Sequence, residues 1–119
     1  MARILVAEDE PILRMLICDS LEDEGYNIDI AADGEEALQM IAAFKYDLAI
    51  LDHMMPKLTG LEVIQKVKGQ AIAPNRMMML SAKSQLTDRD QALEYGADAF
   101  VSKPFSPMEL VRKVGELIG

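Results

Sequence analysis

Residues 47–60 read DLAILDHMMPKLTG, and the first half of this stretch decides the fold. Asp47 to Leu51 is nearly all apolar, with no alternation of polar and apolar positions. Such a strand has no face to offer water, so it belongs at the centre of a parallel sheet covered by helices on both sides. It ends at Asp52. Pro56 and Gly60 mark the segment from Asp52 to Gly60 as a loop. Asp52 therefore stands at the mouth of the sheet, where open α/β folds bind ligands.

The same strand-then-helix unit recurs on either side. Arg3 to Ala7 is a short apolar run ending in Glu8-Asp9-Glu10, and Pro11 opens a helix in which Leu13, Leu16, Ile17 and Leu21 recur at helical spacing. Gly25 stops it. Asn27 to Ala32 alternates, with Ile28 and Ile30 on one side, which predicts a half-buried strand near a sheet edge. Asp33-Gly34 is a turn, and Glu35 to Phe44 a helix with Ala37, Leu38 and Ile41 inward. After the central strand, Leu61, Val63, Ile64 and Val67 mark a third helix. Arg76 to Leu80 is a strand ending at Ser81, and Thr87 to Tyr95 a mostly polar helix closed by Gly96. Ala99 to Val101 is the fifth strand, ending at Ser102-Lys103-Pro104. Ser106, with Glu109 three residues on, caps a last helix striped by Leu110, Val114, Leu117 and Ile118. Strands alternating with helices predict an α/β fold, a parallel sheet with right-handed crossovers and helices on both faces. No linker or repeat interrupts residues 1–119, so one domain is expected.

Composition narrows the function. The formal net charge is −8, which disfavours nucleic acid and anionic membrane surfaces and suits cation binding. Cys18 is the single cysteine, no leader-like apolar segment comes after Met1-Ala2-Arg3, and no apolar run approaches a membrane span. A reducing, cytoplasmic location is expected. The nine methionines are read either as core filler or as an adaptable interface.

The strand tips gather chemistry. Glu8 and Asp9 follow the first strand, Asp52 the third, Ser81 the fourth and Lys103 the fifth. Carboxylates at close range stay ionised only if a cation offsets them. Mg²⁺ takes oxygen ligands and usually combines one or two carboxylates with waters and phosphate oxygens. Phosphoryl transfer needs positioning and charge neutralisation more than covalent help from the protein. Asp52 as nucleophile, Lys103 as a charge partner and Ser81 as a hydrogen-bond donor would suffice. Each signal has a plainer reading when taken alone. Glu8-Asp9-Glu10 suits any helix N-terminus, Asp52 a turn, Lys103-Pro104 a surface turn and Ser81 a local cap. His53, the single histidine, reads as a surface loop residue rather than a ligand.

The segments Leu5 to Pro11, Leu51 to Pro56 with Gly60, Leu80 to Lys83 and Val101 to Phe105 resemble, in order and spacing, the response-regulator receiver domains of two-component signalling. That resemblance covers essentially the whole chain. It implies a flavodoxin-like (βα)5 fold with strand order 2-1-3-4-5 and a cis Lys103-Pro104 bond. It implies Asp52 as phosphoacceptor and Mg²⁺ as cofactor, held by Asp9, Asp52 and the backbone carbonyl of Met54, with Glu8 acting through water. It implies Ser81 and Lys103 as phosphate-sensing groups and Phe100 as the switch aromatic, a position where Tyr is common and whose hydroxyl is missing here. Met54 and Lys83 occupy positions that tune dephosphorylation, and Leu13 and Pro104 lie near the face where a phosphodonor histidine docks.

The expected function is a switch that takes a phosphoryl group from a histidine kinase or histidine phosphotransfer protein. It would change its contacts through the fourth helix, fifth strand and fifth helix, catalysing only its own phosphorylation and dephosphorylation. The downstream target is open. So are a homodimer formed on phosphorylation and the question of a stand-alone receiver against a fragment of a longer response regulator. A Mg²⁺-dependent aspartyl-phosphate phosphatase is disfavoured because Met54 stands where the second acid of Asp-x-Asp would be. A flavin carrier is disfavoured because Glu8-Asp9-Glu10 would repel the flavin phosphate.

Overall fold

The computed structural model describes residues 2–82 and 88–119. Ten elements alternate: β1 (Arg3–Ala7), α1 (Pro11–Asp23), β2 (Asn27–Ala31), α2 (Gly34–Ala43), β3 (Leu48–Asp52), α3 (Gly60–Val67), β4 (Arg76–Ala82), α4 (Asp88–Tyr95), β5 (Ala99–Lys103) and α5 (Pro107–Ile118). All strand pairs are parallel, in the order β2-β1-β3-β4-β5. No helix among the described residues is long and apolar enough to cross a membrane.

The central strand behaves as its composition dictates. All five residues of β3 are buried, and their side chains alternate between two cores. Leu48 and Ile50 join Ile4, Val6, Met78, Leu80 and Val101 beneath Ile17 and Leu21 of α1 and Leu110 and Val114 of α5. Ala49 and Leu51 join Leu5, Met77 and Met79 beneath Ile41 of α2, Val63, Ile64 and Val67 of α3 and Ala92 of α4. The methionines divide: Met55, Met77, Met78 and Met79 are buried, whereas Met15, Met54 and Met108 are exposed.

Local signals set the helix starts. Asp33 accepts from the Glu36 N–H at 2.8 Å to cap α2. Thr59 and Glu62 form a reciprocal capping box at α3. Ser106 accepts from the Glu109 N–H at 3.1 Å at α5. Ionic and aromatic contacts fasten the sheet edge remote from the strand tips. Arg3 pairs with Asp29 at 2.9 Å and lies over the Phe44 and Tyr46 rings, while the Tyr46 hydroxyl donates to Asp29 at 2.8 Å. Burial and the neighbouring Asp29 carboxylate push the Tyr46 phenol well above its ordinary range. Tyr46→Phe is expected to cost about 1.5 kcal/mol in urea denaturation, because a hydrogen bond to a charged acceptor is lost while Arg3 still pairs the carboxylate.

Several sequence expectations need correction. Ile30 is 47% exposed although Ile28 is partly buried. β2 is an edge strand, and the core beneath α1 takes in Ile28 but not Ile30. Leu16 is 43% exposed, so the apolar stripe of α1 is wider than the face it buries. β4 and β5 run past the expected Leu80 and Val101 to Ala82 and Lys103, because parallel pairing continues through Ser81–Ser102 and Ala82–Lys103. α4 is described from Asp88; the expected start at Thr87 lies outside the described residues.

Candidate functional site

Strand order brings the tips of β1 and β3 side by side, with Ala7 opposite Leu51, and β4 and β5 follow on the far side of β3. Glu8, Asp9 and Asp52 each offer a carboxylate oxygen, and these oxygens lie within 4.8 Å of one another. Glu8 and Asp52 are buried and Asp9 is exposed at the rim. The Lys103 Nζ approaches from β5, 2.8 Å from Asp52 Oδ1 and 3.2 Å from Glu8 Oε1.

Glu8 is fixed from several sides. Its Oε1 meets Lys103, and its Oε2 accepts from the Glu10 N–H at 3.3 Å at the start of α1. The Arg14 guanidinium donates to its main-chain carbonyl at 3.0 Å. Burial, and next the charge of Asp52, still push the Glu8 carboxyl up to about 7, against the opposing pull of Lys103. The Lys103 ammonium, although burial opposes its charge, is held above its ordinary range by Asp52 and Glu8. Its contribution to stability is lost only as pH rises through that raised value.

Glu8 has the opposite sign. Its folded pKa lies above the 4.5 of the free side chain, so between pH 4.5 and about 7 the folded chain keeps a proton that the unfolded chain gives up. Its contribution to metal-free stability therefore falls as pH rises through that window, by at most about 1.4 kcal/mol per pH unit. Urea midpoints from pH 5 to 8 in chelator should show this decline relative to Glu8→Gln. Parallel curves for the two proteins would refute it.

An all-oxygen donor set with two buried acids at this spacing suits a small, hard divalent ion. The same sequence matches the family model of the response regulator receiver domain over residues 4–115.

The chain belongs to the response regulator receiver domain family.

Relatives agree with this receiver assignment. The transcriptional regulatory protein DltR of Streptococcus agalactiae is 40% identical over 112 residues, covering 94% of this chain and 50% of DltR. The receiver domain of the Francisella response regulator 1452 superposes with a TM-score of 0.91 at 32% identity, covering 99% of this chain and 97% of that one. The response regulator TrrA of Thermotoga maritima, solved in complex with Mg(2+)-BeF, is 40% identical with a TM-score of 0.85, covering 98% of this chain and 99% of TrrA. The receiver spans about half the length of the curated relatives it matches.

The remaining expected positions of the receiver spread outward from the acids. Ser81 is buried at the end of β4, opposite Ser102. Phe100 is partly buried on β5 and packs against the core beneath α2, α3 and α4. Met54 follows Asp52 by two residues, with its side chain 57% exposed. Lys83 lies outside the described residues. Leu13 and Pro104 share a groove of about 440 Å³ with Ile12, Leu16 and Phe105, beside Lys103. The Lys103–Pro104 peptide is cis.

His53 is not the surface residue expected from sequence: it is buried. Just past the end of β3 its main chain is tied to β4 and α3, donating to Leu80 O at 2.8 Å and accepting from the Gly60 N–H at 2.8 Å. Sequence reading also missed Arg14. A cation one turn into the helix after Glu8-Asp9-Glu10 is the signal that would have found it.

Proposed function

We propose that this receiver takes a phosphoryl group onto Asp52 from a phosphohistidine of a kinase or phosphotransfer protein, with Mg²⁺ in the acidic pocket. The observation that carries the reading is the convergence of three carboxylates within 4.8 Å with an ammonium 2.8 Å from Asp52. An Asp52 carboxylate oxygen attacks phosphorus, an O–P bond forms, and the P–N bond breaks with its electron pair passing to the imidazole. Asp9 and Asp52, with the Met54 carbonyl, would ligate the ion. Both oxygens of Glu8 already accept hydrogen bonds, which suits contact through water. When bound, the ion supplies charge neutralisation on the transferring group.

Lys103 exchanges its hold on Asp52 for a phosphoryl oxygen, and Ser81 donates to another. These contacts would bias Phe100 and the surface formed by α4, β5 and α5 between two states, which a downstream protein reads. The donor histidine docks over the groove of Leu13 and Pro104. An ATP-derived phosphoryl group puts this exchange in the cytoplasm, and the chain turns over no outside phosphoester. The relatives' greater length favours a further reading, in which this receiver controls an output domain in a longer regulator.

The test is incubation with Mg²⁺ and acetyl phosphate, followed by intact-mass and peptide analysis. One phosphoryl group on residue 52, absent with chelator, is the expected result. Labelling at another residue, or labelling indifferent to chelation, would refute the proposal.

A further inference from the structure

The loop between Asp52 and α3 carries the acceptor at one end and folds over a tight, strained turn. Lys57 has φ 72°, a left-handed conformation that L side chains rarely adopt, and the Leu58 N–H donates to Pro56 O at 2.8 Å across it. Neither Lys57 nor its neighbours is a glycine, so something outside the loop must hold this geometry.

The turn between β2 and α2 meets it. The Gly34 N–H donates to the same Pro56 carbonyl at 3.3 Å. A Cβ on Gly34 would lie 2.0 Å from the Leu58 carbonyl oxygen and 2.7 Å from its carbon, so only a bare α-carbon permits this seat. Asp33 divides its carboxylate: Oδ1 caps α2 while Oδ2 faces Lys57 Nζ at 3.6 Å. At the far end of the loop a Cβ on Gly60 would lie 2.6 Å from the Asp52 carbonyl oxygen. Only Thr59 separates Leu58 from Gly60, so the two close backbone approaches lie next to each other along the loop.

We infer that Gly34 and Lys57 are positioning residues for the phosphoacceptor loop, with the turn after β2 clamping the Met54-to-Leu58 segment in the register that aims Asp52 and the Met54 carbonyl at the ion. The inference rests on the Mg²⁺ reading above. Gly34 carries most of the effect, because an exposed pair such as Lys57–Asp33 contributes little by itself.

The test is Mg²⁺ titration by calorimetry of the unsubstituted chain, Gly34→Ala and Lys57→Gly, with amide hydrogen exchange at Gly34 and Leu58. Gly34→Ala should weaken Mg²⁺ affinity about tenfold, the lower end for lost support around a metal site. Lys57→Gly accepts the positive φ without strain, so its urea midpoint should hold. Its Mg²⁺ affinity should still fall about two- to fivefold, with faster exchange at Leu58. If Gly34→Ala does not fold, Lys57→Gly decides. Unchanged affinity in every variant that folds would overturn the clamp while leaving the metal reading intact. No binding to the unsubstituted chain would overturn both.

Discussion

Asp52→Asn should accept no phosphoryl group from acetyl phosphate under conditions that label the unsubstituted chain, a loss of at least about a thousandfold in initial rate. An amide oxygen at this position is neutral and a poor nucleophile, and no other carboxylate shares its place. Asp9 sits exposed at the rim, and both oxygens of buried Glu8 are engaged by Lys103 and the Glu10 N–H. The fold should survive, because Lys103 keeps Glu8 as a partner at 3.2 Å. The substitution removes the second largest cause of the raised Glu8 pKa, so Glu8 should titrate closer to its ordinary value. Mg²⁺ affinity should fall, since the proposed site loses one of its three converging carboxylates. Intact mass, a carboxyl-resolved NMR titration and calorimetry read these outcomes separately. Retained uptake with unchanged kinetics would remove Asp52 from the mechanism.

Lys103→Met should have the largest effect on stability. The side chain is about three-quarters buried, and its ammonium lies between the carboxylates of two side chains that are almost wholly so. Removing one partner of a buried ionic group leaves uncompensated charge, which costs about 3–5 kcal/mol. Methionine keeps most of the side-chain volume, so packing loss is a minor part of that cost. Urea denaturation in chelator at neutral pH measures it. Two responses separate a charge effect from general damage. Millimolar Mg²⁺ should recover part of the lost stability, because the ion offsets the same carboxylates. Lowering the pH to about 5 should also recover part, because folded Glu8, raised further once Lys103 no longer opposes it, holds a proton more firmly than the unfolded chain does. A variant as stable as the parent in chelator, or one that neither Mg²⁺ nor acid restores, would contradict this view of the pocket.

Both predictions draw on features legible in the sequence to different degrees. The buried character of β3 was visible in Leu48 to Leu51, because a strand covered on both faces must be apolar throughout. The cap at Ser106 was visible for a similarly local reason, since it pairs with a backbone N–H three residues on. Where the reading failed, the cause was not local. Ile30 follows the same alternation as Ile28, yet it is exposed on an edge strand whose core contact takes in only Ile28. His53 begins a loop rich in turn signals, yet its main chain bonds to Leu80 and Gly60 and it is buried. Gly34 read as one half of an ordinary turn. Its close approach to Leu58, twenty-four positions away, cannot be inferred from neighbouring residues.

The sequence by itself determined the alternation of strands and helices, the buried centre of the sheet and the placing of each acid, hydroxyl and amine at a strand tip. Those features come from hydrophobic periodicity and capping chemistry, which act over a few residues. Tertiary structure alone decided that β1 lies beside β3, so that carboxylates forty-four positions apart face one another and an ammonium from the fifth strand lies between two of them. The electrostatics of the pocket arise from that juxtaposition: a charge acquires a shifted pKa and a demand for a counter-ion only when burial and a second charge act on it together.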